Sequence, residues 1–129
     1  MSESEVQQLI QIEARKHGIV LMRNNSGSFK NNDGRWVRFG LNNLSAKQNA
    51  QIKSSDLIGI KPVTITNEMV GQTFALFIAI EVKAEEWSPA KKLDAHEIAQ
   101  KNFMDWVRHL GGLSGFCNGV DSLITLLRN

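Results

Sequence analysis

Thr73-Phe74-Ala75-Leu76-Phe77-Ile78-Ala79-Ile80-Glu81-Val82-Lys83 is the stretch from which the fold is read. It is apolar on both faces as far as Ile80, which predicts a buried strand in the middle of a sheet. It then turns charged, apolar, charged. Side chains two apart on a strand share a face, so Glu81 and Lys83 are expected side by side, with Val82 turned into the core. A carboxylate next to an ammonium at the end of so apolar a run marks a place where something binds.

Working outward, Asp56-Leu57-Ile58-Gly59-Ile60 begins the preceding strand, which is expected to continue through Pro62 to Thr66, with Pro62 at an edge or bulge. Residues 35–39 alternate charged and apolar and read as an exposed strand, and Ile19 to Met22 as a short buried one. Residues 23–34, rich in Asn, Ser and Gly, read as loop, and 41–53 as irregular. Residues 4–17 follow the helical period and stop at Gly18. Beyond Lys83, a polar connection leads to a helix over 95–110, with an apolar stripe of Phe103, Trp106, Val107 and Leu110. Gly111-Gly112 ends that helix, Leu113 to Cys117 reads as a strand, and Val120 to Leu127 as a closing helix.

The order is α-β-β-β-β-α-β-α in one domain, 1–129. Hairpin connections are expected among the three middle strands. The last strand follows a helical crossover and is expected parallel to the strand of Glu81. The fold class is therefore α/β, a mixed central sheet flanked by helices.

A length of 129 residues, with 42% hydrophobic and 22% charged, suits one globular domain. No apolar run approaches the roughly 20 residues that span a bilayer, so no membrane association is expected. The acidic Met1-Ser2-Glu3-Ser4-Glu5 start does not look like a secretory signal. A single cysteine, Cys117, excludes an internal disulfide and a multi-cysteine zinc site, and reads as a small buried apolar residue. An intracellular protein is expected. The net charge of +2 says little, but its distribution says more. Arg15 to Lys61 holds nine Lys/Arg and only two acids, Asp33 and Asp56. A basic surface near an acidic pocket suits a phosphate-bearing polymer.

Asp56 precedes Glu81 by 25 residues. Two carboxylates, with the Val82 carbonyl as a third oxygen, are candidate ligands for a hard divalent cation such as magnesium or manganese. Such an ion stabilises charge on a phosphate and acidifies its bound water. Lys83 beside it is placed to orient or deprotonate the attacking water, or to stabilise the transition state. That is the chemistry of phosphodiester hydrolysis.

The pattern resembles the PD-(D/E)XK nuclease superfamily. Ser4-Glu5-Val6-Gln7, Arg23-Asn24-Asn25, Ser55-Asp56-Leu57-Ile58-Gly59, Ile80-Glu81-Val82-Lys83, Gln100-Lys101-Asn102-Phe103 and Leu110-Gly111-Gly112 come in order. Together they look like the VRR-NUC family, the virus-type replication-repair nucleases, and its small stand-alone phage and bacterial members. The resemblance implies a restriction-endonuclease-like fold and an active site of Glu5, Asp56, Glu81, Lys83 and Gln100. It also implies hydrolysis to a 5′-phosphate and 3′-hydroxyl, activity on branched DNA like that of Holliday-junction resolvases, a homodimer, and residence in a bacterial or phage-infected cytoplasm. One departure is Ser54-Ser55, where the family has a proline and a small residue. Ser55 is a candidate phosphate or loop contact.

Each candidate has a plainer reading. Ser2-x-x-Glu5 is a capping-box pattern. Asp56 suits a turn, Glu81 and Lys83 a surface ion pair, and Gln100 a solvated helix position. Arg23, Asn24, Asn25, Arg38 and Lys53 are candidate DNA contacts or ordinary loop and surface residues. The three histidines lack metal-ligand spacing. Two other functions stand beside the resolvase: a flap or nicking nuclease, and a non-catalytic DNA-binding module.

Overall fold

A computed structural model describes residues 2–128. The chain is mixed α/β, and it divides into two compact units, Met1–Lys61 and Pro62–Asn129.

The first unit opens with helix α1, Glu3–Lys16, capped by Ser2. Acids in its first turn and Arg15 and Lys16 in its last complement the helix dipole. It ends as expected: Gly18 N–H bonds the Arg15 carbonyl at 3.1 Å and Ile19 N–H the Ala14 carbonyl at 3.0 Å. Ala14 is its buried residue, and Gln11 Nε2 ties the helix to β1 (Val20–Arg23) through the Leu21 carbonyl at 3.1 Å.

Two strands, β2 (Gly27–Lys30) and β3 (Trp36–Phe39), form a hairpin. Its turn is organised by Asn31, whose Oδ1 accepts from the Asp33 and Arg35 backbone N–H groups at 3.0 and 2.9 Å. One helical turn, α2 (Ala46–Asn49), follows, capped by the Ser45 hydroxyl. Then β4 (Leu57–Ile60) runs antiparallel to β1, Val20 facing Ile60 and Arg23 facing Leu57. At Gly59 the strands approach so closely that a Cβ would lie 1.9 Å from the Val20 carbonyl oxygen.

The second unit begins with a 3-10 turn, Asn67–Met69. Strand β5 (Ile78–Val82) is followed by helix α3 (Ala95–His109), β6 (Leu113–Cys117) and helix α4 (Val120–Leu127). As expected, β6 is parallel to β5, with Ile78 opposite Leu113 and Val82 opposite Cys117. Met104 and Val107 of α3 and Ser114 of β6 form the buried centre between those two elements, and the Ser114 hydroxyl donates to the Met104 carbonyl, while Cys117, also buried, alternates to the other face of β6. At the end of α3, Gly111 adopts φ +97°. Gly112 then passes so tightly that a Cβ would meet the Phe77 carbonyl oxygen at 2.7 Å.

Several expectations are corrected. The strands pair two by two, β1 with β4, β2 with β3 and β5 with β6, so the expected hairpins between middle strands are replaced by other partners. Residues 27–30, read as loop, form β2 because the Asn31 turn folds them back on β3. Residues 46–49, read as irregular, make the turn α2. The strand after Asp56 stops at Ile60 rather than reaching Thr66. The expected strand from Thr73 starts only at Ile78, since β6, bounded by Gly112, offers partners for five residues. Among the described residues of its unit β5 has one partner, β6, rather than a central position. Val82, expected in the core, is 76% exposed. The buried positions of α3 are Glu97, Met104 and Val107, while Phe103 and Trp106 are exposed.

Candidate functional site

In the second unit, Glu81 of β5 and Lys83, one residue beyond its end, lie on the half-buried side, and α3 lies against that strand. The two share one face, as expected, and that face is the covered one. The reason is in the helix, whose first two turns present polar side chains to the strand. Lys83 Nζ donates to Gln100 Oε1 at 3.0 Å and lies 3.3 Å from Glu97 Oε2. It also sits over the Phe116 ring, 5.3 Å from its centroid, a distance at which cation–π attraction operates.

Glu97 is only 4% exposed. It completes a capping box with Asp94, whose side chain accepts from Glu97 N–H at 2.8 Å. Its Oε2 accepts from the Trp87 indole N–H at 2.7 Å, and Lys91 Nζ lies 3.4 Å from its Oε1. The Trp87 bond, helped by the Asp94 backbone N–H and the two lysines, outweighs burial and holds the Glu97 carboxyl down at about 2. The connection before the helix is anchored as well: Asn118 Nδ2 donates to the Glu85 and Trp87 carbonyls at 3.1 and 2.9 Å.

Glu81, His96, Gln100, Phe103 and Met104 line a cavity of about 360 Å³. Lys83, Trp87, Lys91, His96 and Glu97 border a second, of about 530 Å³. The ladder to β6 is carried by odd-numbered residues: Leu113 N–H bonds the Phe77 carbonyl and Lys83 N–H the Cys117 carbonyl, both at 2.9 Å. Parallel-strand alternation therefore turns the Val82 carbonyl toward the other edge of β5, unused by β6.

In the first unit, Asp56 immediately precedes β4 with its side chain exposed. Asn24 fixes the backbone there: its N–H donates to the Asp56 carbonyl at 2.9 Å and its Nδ2 to the Ser55 carbonyl at 2.7 Å. The Ser55 hydroxyl donates to the Leu57 carbonyl at 2.7 Å. Asn24 and Ser55, candidate DNA contacts by sequence, are thus engaged in shaping the turn that presents Asp56. Lys53 does share a cavity of about 280 Å³ with Asp56, Ser26, Asn43 and Asn49. Among the described residues, Asn49 Oδ1 is a buried acceptor without a partner. A donor or water entering that cavity would satisfy it.

The remaining candidates are dispersed. Arg23 is exposed at the end of β1, Asn25 lies just before β2, and Arg38 is exposed on β3 opposite Ser28. Glu5 takes the plainer role the sequence offered: its Oε2 accepts from Ser2 N–H at 2.6 Å and from the Ser2 hydroxyl at 3.0 Å. Those bonds, the backbone one foremost, lower its pKa. Within neither unit do three His, Cys, Asp or Glu side chains of the described residues converge as a metal cluster. Asp56 in the first unit, and Glu81 and the Val82 carbonyl in the second, each offer oxygen donors of the kind a hard cation takes.

Sequence reasoning missed Glu97, Trp87 and His96. The signal for Glu97 was its spacing: 97, 100, 104 and 107 lie on one helical face, so the buried stripe continues into two polar residues. Compared with known proteins, the chain matches no family model, and neither a curated protein nor a solved structure is significantly similar to it. Among the described residues no helix is long and apolar enough to cross a membrane.

Proposed function

We propose that the chain is a magnesium- or manganese-dependent endonuclease that hydrolyses DNA phosphodiester bonds, of the VRR-NUC kind within the PD-(D/E)XK superfamily. The observation that carries this reading is the bond from Lys83 to Gln100. The motif pointed to these two residues separately, on a strand and on a helix. They meet at 3.0 Å, and Glu81 lines the same cavity as Gln100.

The motif assigns Asp56, Glu81 and the Val82 carbonyl as metal ligands. When bound, the ion supplies charge stabilisation on the phosphate and acidifies a water. The chain's own residues do the rest. Lys83 presents a fixed cation to the phosphate or to the attacking water. Gln100 holds that ammonium from the helix side. The basic stretch Arg15 to Lys61, with Lys53 beside Asp56, supplies phosphate attraction that weakens with salt. A homodimer acting on branched DNA belongs to the same proposal: one small domain carries one site, and paired cuts need two.

The test is cleavage of labelled duplex, nicked, flap and four-way DNA by purified protein with magnesium or manganese. We expect metal-dependent cuts that disappear in Asp56→Ala and Glu81→Ala while both variants remain folded. Symmetric cuts in four-way DNA support resolution, and cuts confined to flaps support flap processing. Undiminished cleavage by purified Asp56→Ala would overturn the assignment.

A further inference from the structure

The Glu97 carboxylate does more than cap a helix, and its surroundings show what else it does. A capping-box glutamate ordinarily lies at the surface, where its bond to the N-cap N–H is sufficient reason for it. Glu97 is instead buried at 4% exposure, and a buried carboxylate is tolerated only when its oxygens are fully engaged. Its two oxygens divide the work. Oε1 takes the Asp94 N–H at 3.3 Å and faces Lys91 at 3.4 Å. Oε2 takes the Trp87 indole at 2.7 Å and faces Lys83 at 3.3 Å. The indole is rigid, so the bond from Trp87 sets where Oε2 stands. Oε2 in turn sets where the Lys83 ammonium stands, with Gln100 Oε1 and the Phe116 ring as the other two restraints.

We propose that Glu97, held by Trp87, is a positioning residue that aims the Lys83 ammonium at the reacting phosphate. The inference rests on the nuclease reading for what Lys83 does. Neither Glu97 nor Trp87 touches substrate in it. Both act through the lysine.

The experiment is single-turnover cleavage of labelled four-way and flap DNA with magnesium by wild type, Glu97→Gln, Lys83→Met and the double variant, with thermal melting alongside. A displacement of about 1 Å in a catalytic group can cost about 10²-fold in rate. We therefore expect Glu97→Gln to lower the rate constant about 10²-fold, with half-saturating DNA concentration unchanged. In the Lys83→Met background it should lower the rate no further. A merely structural role would instead add its loss to that of Lys83→Met. Should Glu97→Gln fail to fold, Trp87→Phe removes only the indole donor and is expected to show the same dependence on Lys83 with a smaller loss. Cleavage by Glu97→Gln within twofold of wild type, or additive losses in the double variant, overturns the role of Glu97 and leaves the nuclease reading standing. Wild-type protein that cuts none of these DNAs overturns the nuclease reading and the role of Glu97 with it.

Discussion

Lys83 Nζ and Gln100 Oε1, 3.0 Å apart, join the end of a strand to the second turn of the helix that follows it. The two residues lie within one crossover, between parallel strands β5 and β6. A bond from an ammonium to a neutral amide contributes about 1.5–3 kcal/mol where it is buried, and less where water reaches it. Gln100→Ala is expected to destabilise the protein by about 1 kcal/mol in urea denaturation. If the nuclease reading holds, cleavage falls by a larger factor than that loss implies. Equal cleavage by Gln100→Ala and wild type would separate the bond from function.

The Glu97 carboxyl, held at about 2, links stability to acid. Its folded pKa lies below its ordinary value of 4.5. The sign follows: the stabilisation is complete above the unfolded pKa, and it is lost as pH falls through the folded one. Melting temperature should therefore drop between roughly pH 4.5 and pH 2 more steeply in wild type than in Glu97→Gln. Calorimetry across that range checks it, and parallel curves would refute the ion network.

Gly59 is the point of closest approach between β1 and β4, and its absent side chain leaves the space filled by the Val20 carbonyl. Gly59→Ala would force the strands apart, and overpacking of this kind costs about 1–3 kcal/mol or more. We expect a lowered melting temperature and lost amide protection in the first unit, measured by hydrogen exchange. Unchanged protection of Val20 to Arg23 would contradict the pairing.

Asn24 holds the Ser55-Asp56 backbone from two donors. Asn24→Ala keeps the backbone bond and deletes the side-chain bond, with an expected loss of about 0.5–1.5 kcal/mol. Under the nuclease reading the variant cuts more slowly because Asp56 is less well held, while its affinity for DNA barely changes. A selective loss of DNA affinity would instead return Asn24 to the role of phosphate contact.

Val82 faces outward, so Val82→Thr should change stability by no more than about 0.5 kcal/mol. A core valine exchanged for threonine would bring a hydroxyl inside and lose considerably more. Denaturant titration distinguishes the two.

The sequence carried the helices and the last strand well. α1, α3, β6 and α4 were legible because their apolar periods are long or are cut off sharply by Gly18, Gly111 and Gly112. The parallel relation of β5 and β6 followed from the intervening helix. β2 was not legible: Gly27-Ser28-Phe29-Lys30 has one apolar residue, and its strand state depends on the Asn31 turn and on β3. The orientation of the Glu81-Val82-Lys83 run was misread for another reason. Period two says which side chains share a face and is silent on which face is covered. Here a polar patch on α3 covers the charged face. Glu97 was hidden because Asp94-x-x-Glu97 already makes sense as a cap, and burial is the property that a local pattern does not carry.

The restraint of Lys83 has a consequence for recognition. A free lysine side chain holds about 2 kcal/mol of rotamer entropy, which an encounter with a phosphate would have to remove. In this chain Gln100, Glu97 and Phe116 already confine the ammonium before any ligand arrives. The ordering has been absorbed into folding, so contact with an incoming anion carries little further entropic penalty. The stiffness of one side chain thus becomes a term in the association constant of whatever ligand it meets.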